Sequence, residues 1–454
     1  MSLYPTPQFS GNDLNLFDFS EAVATSNHAE AYSPSLANVT PPAVEVIEPV
    51  SPPKAAAQGF QERWYQTNAL VDIERRLPIH GIRVSSKGEL LQCPTGGGKT
   101  RIASLDIDRR LKADKRVLVL VDLEMLLNQM RDDLAEQGIY PLIEKAQHSA
   151  LSQFGRYGNC VLASAQSFYT ARLQRWARNS FDYIVIDEAH DMERFLPIIE
   201  HFSNAQVLGL TATPRDESKK FFNYPFIKTL TMREAIEGWN GNTQEHEAPF
   251  LSRIAVLPID ASHIDLSNIR TVKKDFAQGE LDRRIFEQVN WLASAIMEAT
   301  QGRRPWIFCP QTVTSYALAK ALRDLGGTYA SYHSKVDNPA RILKRFVRDE
   351  LQGLTTVNML IKGVNVPKVD CIIRVRPSLN IVQATQEIGR GTRLFPGKKN
   401  CLVVEFAFDT KGRRLAGVLD AIMDGTIVKD KRTNDEVEKE EKIREKAEKI
   451  IKEG

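Results

Sequence analysis

What the chain lacks bounds it first. Only five of its 454 residues are cysteines, at 93, 160, 309, 371 and 401. They stand far apart with no C-x-x-C pair, which argues against a zinc site and against a disulfide framework. They read as buried free thiols of a reducing compartment. No run of about 18 apolar residues occurs, and no basic segment followed by an apolar one opens the chain, so neither a membrane span nor a secretory signal is expected. The cytoplasm is the default setting. Net charge is scarce too, at +3. Any polyanionic partner must therefore be met by local patches.

What is present is ordinary for a soluble globular protein, with 42% hydrophobic and 26% charged residues. The length exceeds one core, so two domains of about 100 to 200 residues with appendages are expected. Residues 1–57 are rich in Pro, Ser, Ala and Asn and hold Lys54 as their only Lys or Arg. Such a segment buries too little to fold alone. Within it, NDLNLFDFSEA gathers Leu14, Leu16, Phe17 and Phe19 among acids, a short docking peptide for a protein partner. At the other end residues 416–454 form a charged tail, helical by its acid-to-base pairs four apart, such as Glu438 with Lys442 and Glu445 with Lys449.

Between the tails, strand-like runs alternate with helical patterns, as in parallel sheets covered by helices. RVLVLV, YIVI and QVLGL fall in one block; WIF, CII and CLVVEF fall in another, opened by a helix face of Ile285, Val289, Leu292 and Ile296. Two α/β domains are predicted at 58–225 and 285–415, joined by a more irregular linker at 226–284.

The stretch CPTGGGKT, Cys93 to Thr100, ends like a phosphate loop but has Cys93 where the strict pattern G-x-x-x-x-G-K-[ST] asks for glycine. Its setting between the strand-like GELLQ and the helical RIASLDIDRRL is that of a strand handing over to a helix. There Gly96, Gly97 and Gly98 turn amides toward phosphates, with Pro94 and Thr95 shaping the turn, and the helix N-terminus adds positive potential. Lys99 is placed on the β- and γ-phosphates and Thr100 on Mg²⁺. Downstream, the apolar strand of FDYIVIDEAH delivers Asp187 and Glu188 at its C-terminal end, where ligands gather in open α/β sheets. Asp187 is expected to hold Mg²⁺ through water and Glu188 to deprotonate the attacking water.

Taken together, these elements resemble a superfamily 2 helicase or translocase over roughly residues 58–415, which implies two RecA-like domains and ATP hydrolysis in the cleft between them. RWYQ resembles the adenine-reading Q element, implying that Gln66 contacts the base with help from Arg63 and Tyr65. PTGGGKT matches motif I, DLEMLLNQ resembles motif Ia, ASAQS motif Ib, DEAH motif II and TAT motif III. In the second block PWIFCPQ resembles motif IV, KGVNVP motif V with Gly363 at the nucleotide, and QEIGRGTR motif VI with Gln386, Arg390 and Arg393. The resemblance gives the two arginines the stabilisation of charge on the transferred phosphate from the neighbouring domain.

It also implies backbone contacts to nucleic acid, carried over to Gln129, Ser164, Gln166, Gln311, His333 and Ser334. Arg341, Lys344, Arg345 and Arg348 form a basic helical stripe that could join them. DEAH and QEIGRGTR, rather than DEAD and a histidine-led motif VI, lie closer to the repair and restriction branch, and KKDFAQGELDRRI resembles the linker of RadD-like helicases. DNA is therefore favoured over RNA. The chain departs from that group in having no cysteine-rich tail after the second domain and Asn365 where motif V commonly has Asp. An RNA helicase, and an ATP-gated clamp that does not separate strands, are the alternative readings.

Overall fold

The computed structural model describes residues 63–80, 87–122, 124–145, 149–168, 170–272, 275–300, 302–357 and 366–422, with the side chains of 124, 125, 129 and 170 left aside. The N-terminal segment, most of the charged tail, Gly363 and Asn365 lie outside them, as does the side chain of Gln129. Among the described residues no helix is long and apolar enough to cross a membrane.

Seven parallel strands make the first sheet: β1 (Glu89–Gln92), β2 (Val117–Val121), β3 (Leu142–Glu144), β4 (Cys160–Ser164), β5 (Tyr183–Ile186), β6 (Gln206–Thr211) and β7 (Ile227–Lys228). Their order is β3-β4-β2-β5-β6-β1-β7. The second sheet has six, also parallel: β8 (Ile254–Asp265), β9 (Pro305–Cys309), β10 (Tyr329–Tyr332), β11 (Gly353–Val357), β12 (Cys371–Arg374) and β13 (Cys401–Asp409), in the order β8-β13-β12-β9-β11-β10. Such sheets carry helices on both faces, so their central strands are buried throughout. β2, β4, β5, β9 and β12 are buried at every residue. The fold is two RecA-like domains in tandem.

Helices of eight residues or more are α1 (Trp64–Arg76), α2 (Lys99–Lys112), α3 (Glu124–Ala135), α4 (Gln278–Phe286), α5 (Val289–Ala299), α6 (Thr312–Asp324), α7 (Pro339–Val347) and α8 (Ile381–Ile388). The face expected as one helix from Ile285 to Ile296 is divided between α4 and α5, yet all four side chains are buried in one core.

The stretch expected as an irregular linker is built into both sheets. It supplies β7 at one edge of the first and β8 at an edge of the second, where Ile254 to Ala261 pair in register with Cys401 to Phe408. An edge strand has one pairing side and one wet side, so LPIDASHID mixes polar residues and hides its strand pattern. The chain after β13 likewise returns to the core, where Val418, Ala421 and Ile422 are buried with residues of the second sheet.

One buried polar cluster joins α2 to the first sheet. Arg110, 1% exposed, donates to Asp106 at 3.0 Å, to Gln206 at 3.1 Å and to the Leu77 carbonyl at 2.7 Å, and lies 3.6 Å over the Tyr183 ring. Tyr183 donates to the same Asp106 at 2.7 Å. Removing one partner of such a buried pair costs about 3 to 5 kcal/mol. The helix carrying Lys99 and the strand delivering Asp187 and Glu188 are thereby locked together.

A candidate nucleotide site between the two domains

The glycine turn forms without the first glycine because Cys93 is part of the core. Its backbone N–H donates to the Thr211 carbonyl at 3.0 Å, continuing β1 alongside β6, and its side chain is 0% exposed. The Gly97 N–H closes the turn on the Pro94 carbonyl at 2.9 Å. Gly96 and Gly98 have φ of +84° and +89°, a region that side chains disfavour. A Cβ on Gly97 would meet the Cys93 sulfur at 2.9 Å, and one on Gly98 would meet Gln66 at 2.8 Å. The turn can take this shape only with glycine at these positions.

Lys99 and Thr100 open α2, so the side chains that follow the turn stand at a helix N-terminus. Across from them, β5 ends at Ile186 and delivers Asp187 and Glu188. Glu188 takes φ +53°, left-handed for a residue with a side chain, a cost of order 1 kcal/mol or more that marks a site held by its surroundings. Lys99 Nζ lies 3.1 Å from Asp187 and closer still to Glu188. The other Glu188 oxygen faces His190 Nδ1 at 3.2 Å, and His190 in turn meets the Thr211 hydroxyl at 3.3 Å. Both contacts fall on the same ring nitrogen, which as donor to Glu188 leaves the Thr211 hydroxyl beside it and not in a relay.

These contacts set the charges. Burial opposes ionisation of Glu188, but the Lys99 charge and the His190 hydrogen bond outweigh it and hold the carboxyl below its usual range. Burial likewise works against the Lys99 ammonium, and Asp187 and Glu188 more than compensate, raising its pKa.

The second domain completes the cleft. Gln386, on α8, donates to Glu188 at 3.4 Å. Gly389 lies against Thr95, whose Cβ would be 2.5 Å from a Cβ placed there. Arg390 and Arg393 line the same cleft, of about 240 Å³, together with Lys99, Asp187 and Glu188. Burial, then the like charge of Arg393, bring the Arg390 pKa down to about 9 against the pull of Glu188 and Asp187. Burial lowers that of Arg393 too, with Asp133 opposing. Two desolvated cations side by side are stabilised by an arriving anion.

The loop into α8 is anchored from the segment that opens α4. Asp275, 8% exposed, accepts from Arg376 at 3.2 Å, Ser378 at 2.9 Å and the Leu379 N–H at 2.9 Å. Within α8, Glu387 accepts from Arg374 at 3.0 Å. The sequence pattern held no signal for the Arg374 pairing.

Not every expected residue reaches the cleft. Gln66 is 3% exposed and its amide oxygen accepts from the Arg63 N–H at 3.1 Å, so it supports the glycine turn from behind. Arg63 donates to Tyr65 at 3.0 Å and lies 5.1 Å over Phe250; Tyr65 donates to the Gly97 carbonyl at 2.9 Å. Neither Arg63 nor Gln66 lines the cleft. The motif residues expected at nucleic acid follow the C-terminal ends of β4, β9 and β10. Ser164 and His333 are buried at 1% exposure, Gln311 is half-buried as the residue before α6, and Gln166 and Ser334 are exposed. α7 presents Arg341, Lys344 and Arg345 to solvent over a buried Phe346.

The residues fit a magnesium nucleotide. The glycine turn opens on the cleft at a helix N-terminus, and cations from both domains face it. Among the described residues no cluster of three or more His, Cys, Asp or Glu could hold a metal alone. Mg²⁺ takes few protein ligands and completes its shell with phosphate and water.

Comparison with known proteins bears on the same two sheets. Residues 59–216 match the family described as "Type III restriction enzyme, res subunit", and residues 287–394 match "Helicase conserved C-terminal domain". The chain is 25% identical over 371 residues to a Saccharomyces cerevisiae protein named as the ATP-dependent helicase IRC3, covering 76% of this chain and 51% of that one. It is 24% identical over 424 residues to the type I restriction enzyme EcoAI endonuclease subunit of Escherichia coli, covering 81% and 49%. A solved fragment of an HsdR subunit of a type I restriction enzyme from Vibrio vulnificus is similar with a TM-score of 0.58 and 21% identity, over 76% of this chain and 64% of that one. The chain spans about half the length of these two curated relatives.

Proposed function

We propose, for a chain that belongs to the superfamily 2 helicases of the type III restriction-like kind, that its cleft hydrolyses ATP and that hydrolysis drives movement along DNA. The observation that carries this is the composition of the cleft: Lys99, Asp187 and Glu188 from one domain meet Gln386, Arg390 and Arg393 from the other. A catalytic set divided in this way is complete only when the domains close. Hydrolysis is then coupled to domain motion.

In this reading Gly96, Gly97, Gly98 and Thr95 cradle the phosphates and Lys99 binds the β- and γ-phosphates. Thr100, and Asp187 through water, would hold Mg²⁺, which when bound supplies positive charge along the phosphate chain. Glu188, kept anionic by Lys99 and His190, accepts a proton from the attacking water. Lys99 shields that carboxylate until a phosphate draws the ammonium away. Arg390 and Arg393 stabilise charge on the transferred group, a role worth roughly 10³ to 10⁵ in rate in other nucleotide hydrolases. Gln386 orients Glu188 or the water beside it.

Nucleic acid is assigned to the faces at the ends of β4, β9 and β10, bound chiefly through its backbone and so sensitive to salt. The substrate is DNA, in repair, recombination or replication, by the motif II and VI patterns. Five buried thiols suit a cytoplasmic, reducing setting. The test is the ATPase rate with no nucleic acid, single-stranded DNA, duplex DNA and RNA at one salt concentration. Stimulation by DNA alone supports the proposal. Preferential stimulation by RNA overturns the substrate and spares the site, and absence of turnover under all four overturns the activity.

A further inference from the structure

The loop bearing Arg390 and Arg393 is held by its backbone. Beyond it Leu394 and Phe395 are 48% and 37% exposed, so the chain leaving the loop is poorly anchored by apolar burial. Gly397, at φ +81°, lets the chain reverse, and the Lys398 N–H donates to the Phe395 carbonyl at 3.1 Å. That turn brings the Lys398 ammonium back over the loop. It donates to the Arg393 carbonyl at 2.8 Å and, closer, to that of Gly391. Its third strong acceptor is the Val369 carbonyl at 2.6 Å, with the Pro367 carbonyl at 3.5 Å beside it. An ammonium has three N–H donors. All three are spent on carbonyls from two separate segments, the one leaving KGVNVP and the one bearing the arginines.

Ser252 secures the loop from the other side, its N–H donating to the Thr392 carbonyl at 2.6 Å and its hydroxyl to that of Arg393 at 3.2 Å. Lys398 differs in joining two segments of the same domain. Charged donors make the stronger class of hydrogen bond. Without this one, the Gly391 and Val369 carbonyls lose their cationic donor together.

We infer that Lys398 is a positioning residue, a staple through which the segment after KGVNVP and the arginine-bearing loop move as one piece. This rests on the role given above to Arg390 and Arg393. Displacing residues 367–369, for instance by nucleic acid bound nearby, would then shift both arginines without touching them.

The test is hydrogen exchange on the full chain, comparing wild type with Lys398→Met, which keeps the stem and removes the donors. Amides of residues 368–370 and of 389–394 should both exchange faster, by about tenfold or more, with the rest of the molecule unchanged. Exchange within about twofold of wild type at either segment overturns the staple. Should Lys398→Met fail to melt cooperatively, Lys398→Leu, which likewise has no donors, carries the same comparison. Where the wild type hydrolyses ATP, Lys398→Met should lower kcat about tenfold with KM moved less than about threefold, and Lys398→Arg should restore part of the loss; an unchanged kcat overturns the inference. A wild type without turnover sinks the proposed function and leaves hydrogen exchange to decide the staple.

Discussion

Gln386 of the second domain donates a hydrogen bond to Glu188 of the first at 3.4 Å, on the carboxylate oxygen that also faces His190. The proposed base is therefore touched from both sides of the cleft. Its orientation reports whether the domains are closed.

Glu188→Gln should keep nucleotide binding and lose hydrolysis by at least about 100-fold, since the amide keeps the shape but cannot take a proton. Turnover and the binding of a fluorescent ATP analogue, measured on one preparation, check it. Loss of binding along with turnover would assign Glu188 a structural role.

The same substitution carries a pH dependence. Folding lowers the Glu188 pKa below its ordinary 4.5, so ionised Glu188 contributes stability that is fully present above about pH 4.5 and is lost as pH falls toward the folded value. The gap in unfolding free energy between wild type and Glu188→Gln should thus be constant from neutral pH down to about 4.5 and narrow below it. Denaturant titrations at several pH values check it. A gap that widens on acidification would contradict the contacts to Lys99 and His190.

Lys99→Ala should abolish ATP turnover, and it should also leave Asp187 and Glu188 side by side without their cation. A drop of about 1 to 3 kcal/mol in unfolding free energy is expected at neutral pH. Wild-type turnover would remove Lys99 from the mechanism.

Arg390 and Arg393 predict a ligand effect on melting. ATP with Mg²⁺ at about 100 times its dissociation constant should stabilise the wild type by about 2.7 kcal/mol. The Arg390→Ala, Arg393→Ala double variant should show a smaller shift at equal ATP and a rate lower by about 10³. An undiminished rate would place both arginines outside the chemistry.

Exposure divides the residues proposed at nucleic acid. Gln166→Ala and Ser334→Ala should weaken DNA binding with little change in stability. Ser164→Ala and His333→Ala should act first on stability, because Ser164 shares a 2.8 Å hydrogen bond with Ser167 and His333 packs edge-on against Tyr316 at 4.7 Å. Binding isotherms at two salt concentrations beside melting curves separate the classes. The reverse pattern would move the strand elsewhere.

The central strands were legible because a parallel sheet buries both faces, which leaves runs such as Val117–Val121 no room for polar residues. The phosphate turn was legible by its glycines and its setting, even with Cys93 in place of one. β8 was hidden, since at the sheet edge Asp260, Ser262 and His263 are exposed and break the apolar pattern. Gln66 was placed by its motif, and its amide does lie beside Gly98 of the turn, with its oxygen on the Arg63 N–H. Lys398 could not be found at all: its partners are carbonyls, which every residue has, so no side-chain pattern records them.

Gly389 packs so tightly on Thr95 that not even one methyl group would fit between the domains at that point. Any side chain at 389 would act as a shim between Thr95 and the second domain, spacing the loop of Arg390 and Arg393 away from the glycine turn although no residue of either had been replaced.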